Sequence, residues 1–273
     1  KLQKILGNRT AKRIKVFSGL EQEYFLISKP TALLRNDIMI TGRTIFGAAP
    51  SKGQLMEDHY FGAIKPRVMA FMNDLDSECY KYGIPVKTKH NEVAPNQFEI
   101  APLYEEMNLA IDHNLQTMDI MRKVAEEHGF IVLFHEKPFA GLNGSGKHMN
   151  WSIGDNTGAN YLEPSRSPVK NISFLMTLAA LLIGVHKYSG ILLGAIKDAG
   201  NEHRLGANEA PPAILSVYLG SYLSDVLDHI EGTKHFTEKS IEHINHDLAE
   251  MPNIVKDTSD RNRTSPIAFT GNK

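Results

Sequence analysis

The sequence predicts an α+β protein, with an antiparallel sheet and helices packed on one of its faces. Segments 16–27 and 147–153 alternate in character with the period of two that a strand imposes, and 86–93 and 97–101 read as strands on either side of a turn. The helical segments between them do not recur as βαβ units, and no internal repeat or low-complexity linker is present.

Each element follows from local chemistry. In 16–27, Glu21, Glu23, Phe25 and Ile27 share one face and Tyr24 and Leu26 the other. Residues 28–64 are turn-rich and mixed. A helix begins near Pro66, a residue preorganised for the first helical position. It ends near Gly83, with Val68, Met72, Leu75 and Cys79 as its apolar stripe. Two strands flank a Pro95-Asn96 turn. A long amphipathic helix follows. Its expected buried stripe is Met107, Ile111, Leu115, Met118 and Met121, and Gly129 is its C-terminal stop. After a strand over 130–134, the glycine-rich loop 141–146 leads into the last alternating strand. Residues 168–197, 213–231 and 237–249 read as helices. The stretch 260–273 reads as a polar loop running into the start of a strand near Ile267.

Composition narrows the function. The 273 residues are 42% hydrophobic and 22% charged, an ordinary globular balance. Thirty basic residues against thirty-one acidic ones give a net charge of −1, which offers no electrostatic case for a nucleic-acid or acidic-membrane partner. The single cysteine, Cys79, excludes an intrachain disulfide and a cysteine-built zinc site, and fits a cytoplasmic setting. The most apolar run, 172–196, is interrupted by His186 and Lys187 and reads as a core helix, not a membrane span.

Five constellations carry chemistry. In Glu21-Gln-Glu23, two carboxylates point the same way from a strand, an arrangement that a cation between them would relieve. In His90-Asn-Glu92-Val-Ala-Pro-Asn-Gln-Phe-Glu99, a hairpin would turn Glu92 and Glu99 to one space, with His90 on the face of Glu92. This oxygen-rich set suits Mg²⁺ or Mn²⁺ better than zinc. In Asn143-Gly-Ser-Gly-Lys-His148-Met-Asn150-Trp-Ser152, glycines allow close backbone approach to a ligand, and His148, Asn150 and Ser152 align on one strand face. Gly141 to Lys147 has the spacing of a phosphate-binding P-loop. His148 and the strand-like alternation after it replace the Ser/Thr and helix that motif needs. Arg204, in 201–212, offers a planar fork for a carboxylate or phosphate, and Arg261 and Arg263 can clamp an anion.

In this order, Glu21-x-Glu23, Asn91-Glu-Val-Ala-Pro-x-Gln-x-Glu99, Lys137-Pro-Phe-x-Gly-x-Asn-Gly-Ser-Gly-x-His148, Arg204-Leu-x-x-x-Glu-Ala-Pro and Arg261-Asn-Arg263 resemble the glutamine synthetase catalytic domain. The wording is closest to the large bacterial type III branch. The resemblance implies a curved antiparallel sheet carrying the active site, with helices on its outer face (the glutamine synthetase/guanido kinase-like fold). It implies one truncated catalytic domain over 1–273, without the family's N-terminal β-domain and C-terminal remainder.

The implied activity is ATP-dependent ligation of glutamate and ammonium through a γ-glutamyl phosphate, with two Mg²⁺ or Mn²⁺ ions and ATP as co-substrate. By the same resemblance, Glu23, Glu92 and Glu99 hold one ion, and Glu21 and His148 the other. Asn143 and Gly144 form the glutamate loop, and Arg204 grips the substrate carboxylate. Arg263 stabilises the transferred phosphoryl group, Glu209 is the flap carboxylate, and Asn150 and Ser152 lie on the nucleotide side. The family's third ligand of the second ion is expected beyond Lys273. Stacked homo-oligomeric rings are expected of the full-length protein. The alternatives are a relative that joins glutamate to another amine, and a fragment that binds ligands without turnover.

Overall fold

A computed structural model describes residues 1–165, 168–197, 199–200, 202, 219–233, 235 and 269–271. In chain order the elements are α1 (Leu2–Ile5), β1 (Ile14–Ser28), α2 (Lys29–Ala32), α3 (Asn36–Thr41), α4 (Pro66–Lys81), β2 (Val86–Asn91), β3 (Gln97–Pro102), β4 (Glu105–Glu106), α5 (Met107–Glu127), β5 (Phe130–Leu133), β6 (Lys147–Asp155), α6 (Ile172–Lys187), α7 (Ser189–Ile196), α8 (Gly220–Ile230) and β7 (Phe269–Gly271). The chain forms two compact units, one built mainly on Phe17–Asn150, the other on Lys1–Val16 and Trp151–Ser189.

The first unit contains the expected α+β architecture. The sheet runs β2-β3-β1-β6-β7, with β4 and β5 also on β1. The recorded strand pairs are antiparallel. β1 is the centre, pairing Gln22–Phe25 with β3 along one edge and Phe25–Ser28 with β5 along the other. The alternation on β1 sorts its side chains as the sequence requires. Tyr24 and Leu26 enter a cluster with Val68, Phe71, Met72, Leu75 and Cys79 of α4, Phe98 and Ile100 of β3, and Met121, Val124 and Ala125 of α5. Phe25 goes the other way, to Ala32, Ile38, Ala94, Leu133 and Leu142.

α4 starts at Pro66 as expected, and Gly83 (φ +77°) follows its C-terminus. The strand expected over 86–93 stops at Asn91, because Glu92 opens the turn: its N–H bonds the Gln97 carbonyl, and the Gln97 N–H returns to Ala94.

The expected face of α5 needs correction. Its buried residues are Ala110, Asn114, Thr117, Met121, Val124 and Ala125, whereas Leu115 is 55% exposed and Ile111 38%. Small side chains occupy the buried face, so the helix packs closely there, and the larger apolar stripe falls to the outside. Only Met121 of the predicted stripe is buried. Gly129 (φ +68°) ends the helix in the left-handed conformation that a side chain resists.

The helix read over 168–197 is broken at Tyr188 into α6 and α7; α7 from Gly190 onward falls in the first unit, and α6 lies in the second unit. Phe174, Leu178 and Leu223 form its core, with Leu175, Leu182 and Leu219 packed around them. Among the described residues, no single helix is long and apolar enough to cross a bilayer. α6 and α7 reach that apolar length only together. The helix expected over 237–249 lies outside the described residues, as does the start of the one read over 213–231.

Candidate active site

The sheet register assembles the site. His90 of β2 lies opposite Glu99 of β3, and Glu99 lies opposite Glu23 of β1. His90 Nε2 is 3.1 Å from Glu99 Oε1, and its Nδ1 is 3.5 Å from Glu92 Oε1. His90, Glu92 and Glu99 each bring one ligating atom to within 4.8 Å of the others. The glutamate beside it forces the His90 imidazole towards its charged form. The Glu99 hydrogen bond outweighs burial and lifts its pKa to about 9.

A second group lies on β1 and β6. His148 places Nδ1 3.1 Å from Glu21 Oε2 and Nε2 3.7 Å from Glu23 Oε1. Asn150 Nδ2 donates to Glu21 Oε1 at 2.7 Å. Burial raises the Glu21 pKa, but the bonds from His148 and Asn150 outweigh it and hold the group below the usual carboxylate value.

Three of these carboxylates are buried: Glu23 completely, Glu92 and Glu99 almost so. Burying like charges side by side is unfavourable unless cations or strong donors compensate. Oxygen donors dominate the set, with two imidazoles beside them, so the residues fit Mg²⁺ or Mn²⁺.

The glycine loop closes on this row. Gly146 N–H donates to Glu23 Oε2 at 2.8 Å, and Glu23 N–H returns to the Gly146 carbonyl at 3.1 Å. Asn143 is 3% exposed, and its N–H donates to Gln54 Oε1 at 2.5 Å. Its Oδ1 and the Ser145 hydroxyl are buried without a hydrogen-bond partner among the described residues. Gly144 is obligatory here, because a Cβ would stand 2.2 Å from the Glu136 carbonyl. A cavity of about 860 Å³ is lined by Phe46, Pro95, Phe98, Phe139 and Leu142, among others. None of the site carboxylates lines it, so it is not the cation site.

The structure therefore brings together Glu21, Glu23, Glu92, Glu99, His148 and Asn150, with Asn143 and Gly144 on the adjoining loop. Ser152 lies further along β6 and is half-buried. Lys147 opens β6, which excludes the P-loop reading of 141–147. Arg204, Glu209 and Arg263 lie outside the described residues. Sequence reasoning placed His90 on the right face but gave it no part in the cluster; its spacing of two from Glu92 was the available signal. Gln97 and Gln54 were missed. A glutamine carries no pattern of its own, and Gln54 meets Asn143 from 89 residues away.

An antiparallel sheet with paired carboxylate–imidazole groups and a backbone loop beside them has the oxygen-rich donor set that suits a divalent cation. The sequence model of the glutamine synthetase catalytic domain matches residues 1–188. Glutamine synthetase of Butyrivibrio fibrisolvens is 51% identical over 273 residues, covering all of this chain and 39% of the relative. The type-3 glutamine synthetase of Dictyostelium discoideum is 47% identical over 268 residues, covering 98% and 36%. Among solved structures, a GmaS/ADP complex matches at 27% identity and a TM-score of 0.41, over 59% of this chain and 34% of that one. The chain belongs to the glutamine synthetase catalytic-domain family. It spans less than two-fifths of the length of these curated relatives.

Proposed function

We propose that the chain carries the metal and substrate core of a glutamate–ammonia ligase, forming glutamine from glutamate, ammonium and ATP. The observation that supports this most is the row of buried carboxylates and imidazoles across β2, β3, β1 and β6, beside the Asn143–Gly146 loop. The chain is read as one catalytic domain of a cytoplasmic enzyme whose full-length form assembles into homo-oligomeric rings.

Two divalent ions, when bound, would neutralise charge on the phosphates and the substrate carboxylate. Glu92 and Glu99 with Glu23 would hold one, and Glu21 and His148 the other. Asn143 and Gly144 would orient glutamate through the buried carboxamide and the loop backbone. Asn150 and Ser152 would face the nucleotide. Arg204 would grip the substrate carboxylate. In the reaction, a γ-carboxylate oxygen attacks the ATP γ-phosphorus and ADP leaves, giving the acyl phosphate. Arg263 would stabilise the phosphoryl group in transit. Glu209 would take a proton from ammonium, and the resulting ammonia attacks the acyl carbon as inorganic phosphate leaves.

Hydroxylamine trapping tests the reading. With glutamate, ATP and Mg²⁺, the acyl phosphate should be captured as γ-glutamyl hydroxamate, with ADP formed in equal amount. Metal-dependent ADP formation without hydroxamate would contradict the reading. Mg²⁺–nucleotide binding with neither product would favour the ligand-binding fragment, and faster capture of another amine would favour the related ligase.

A further inference from the structure

Gln97 has no exposed surface, and its carboxamide meets three partners from three segments. Nε2 donates to Glu23 Oε2 at 3.2 Å and to the Gly144 carbonyl at 3.0 Å. Oε1 accepts the Ala94 N–H at 3.1 Å. Both N–H donors are therefore committed, one to a proposed metal ligand and one to the proposed glutamate loop. The carboxamide cannot rotate without leaving a buried partner unsatisfied, which is unfavourable.

The same carboxylate oxygen of Glu23 also accepts the Gly146 N–H at 2.8 Å. Gly144 has no room to shift towards Glu136, since even a Cβ there would meet its carbonyl at 2.2 Å. A change in the position of the Glu23 carboxylate is thus felt at Gly144 through Gln97.

The geometry points to Gln97 as a positioning residue that couples cation binding at Glu23 to the order of the 141–146 loop, and through it to glutamate. This rests on the proposed roles of Glu23 and of Asn143 and Gly144. A cation that fixes Glu23 orders the loop before glutamate arrives, so each ligand tightens the other by the same factor. The link is local, running through one side chain between two strands and a loop.

The test uses the whole chain, with Mn²⁺ alone and then Mn²⁺ with glutamate. Hydrogen exchange reports on the 141–146 amides, and calorimetry gives Mn²⁺ affinity. In the unmodified chain Mn²⁺ should slow loop exchange about 10-fold, and glutamate should tighten Mn²⁺ by about as much, within the usual range of coupling between sites. Gln97→Met keeps the length and removes the carboxamide. It should bind Mn²⁺ within about threefold of the unmodified chain, while both responses fall to about threefold or less. Gln97→Asn keeps the amide but cannot span both partners, so it should lose the responses in the same way if the Met variant does not fold.

Unchanged responses in either folded variant overturn the inference, as does an unmodified loop indifferent to bound Mn²⁺. No Mn²⁺ binding at all overturns the proposed metal site, and the coupling with it.

Discussion

Glu23 and Tyr24 are neighbours on β1, both without exposed surface, and they are buried in opposite ways. Tyr24 packs among Phe71, Leu75 and Phe98. Glu23 stands in a row of carboxylates and imidazoles, held by Gly146 N–H and Gln97. The back of the sheet removes apolar surface from water, which is the main favourable contribution to folding. The front gathers charge whose burial opposes folding. One strand therefore carries a face packed into an apolar core and a face on which buried carboxylates lie beside the smaller Phe25 cluster.

The largest expected effect is on the back. Phe71 is fully buried and meets Tyr24 and Phe130 edge-on. Phe71→Ala should destabilise the chain by about 3–5 kcal/mol, read from urea unfolding, because it leaves a cavity that rigid neighbours do not fill. If Mn²⁺ affinity of the protein that remains folded falls as steeply, the two faces are not separable as described.

Lys147 sharpens the comparison, being a charge on the back. It is 6% exposed, and among the described residues its ammonium meets Met118 Sδ at 3.4 Å. Burial pushes its pKa down to about 8. In the unfolded chain the group titrates near 10.4, so between those values the unfolded state holds more protons and stability rises with pH. Lys147→Met should therefore raise stability at pH 7 by on the order of 2–3 kcal/mol, and that gain should shrink as pH approaches 10.5. A gain independent of pH would show that the charge is not its source.

A smaller effect is expected in the other unit. Asp155 is held by Thr157, by the Ala159 N–H and by the Tyr161 hydroxyl. The Thr157 and Tyr161 bonds draw its pKa down to about 2. Its contribution is complete above the unfolded value near 3.9 and is lost as pH falls through about 2. Asp155→Asn should lower the thermal midpoint at pH 7 and leave it nearly unchanged near pH 2, as measured by scanning calorimetry.

Much of this contrast was legible in the sequence. Alternation on β1 separated Glu21 and Glu23 from Tyr24 and Leu26, and the turn at Pro95-Asn96 brought Glu92 and Glu99 together. Those features are local. The face of α5 was misread because the widest apolar stripe need not be the buried one when small residues allow closer packing. Gln54, Gln97 and the join of β5 to β1 depend on contacts between distant segments, which no periodicity reports.

The most direct test of the front face is Glu23→Gln, which keeps an acceptor oxygen for Gly146 and Gln97 and removes the charge. Thermal unfolding would be followed with and without Mn²⁺, with Mn²⁺ binding measured by calorimetry. Without metal, the variant should melt at a higher temperature than the unmodified chain. With Mn²⁺, the unmodified chain should gain stability and the variant should bind at least about 10-fold more weakly and gain little. A variant that is less stable without metal, or that binds Mn²⁺ as tightly as the unmodified chain, would contradict the assignment of Glu23 to a cation site.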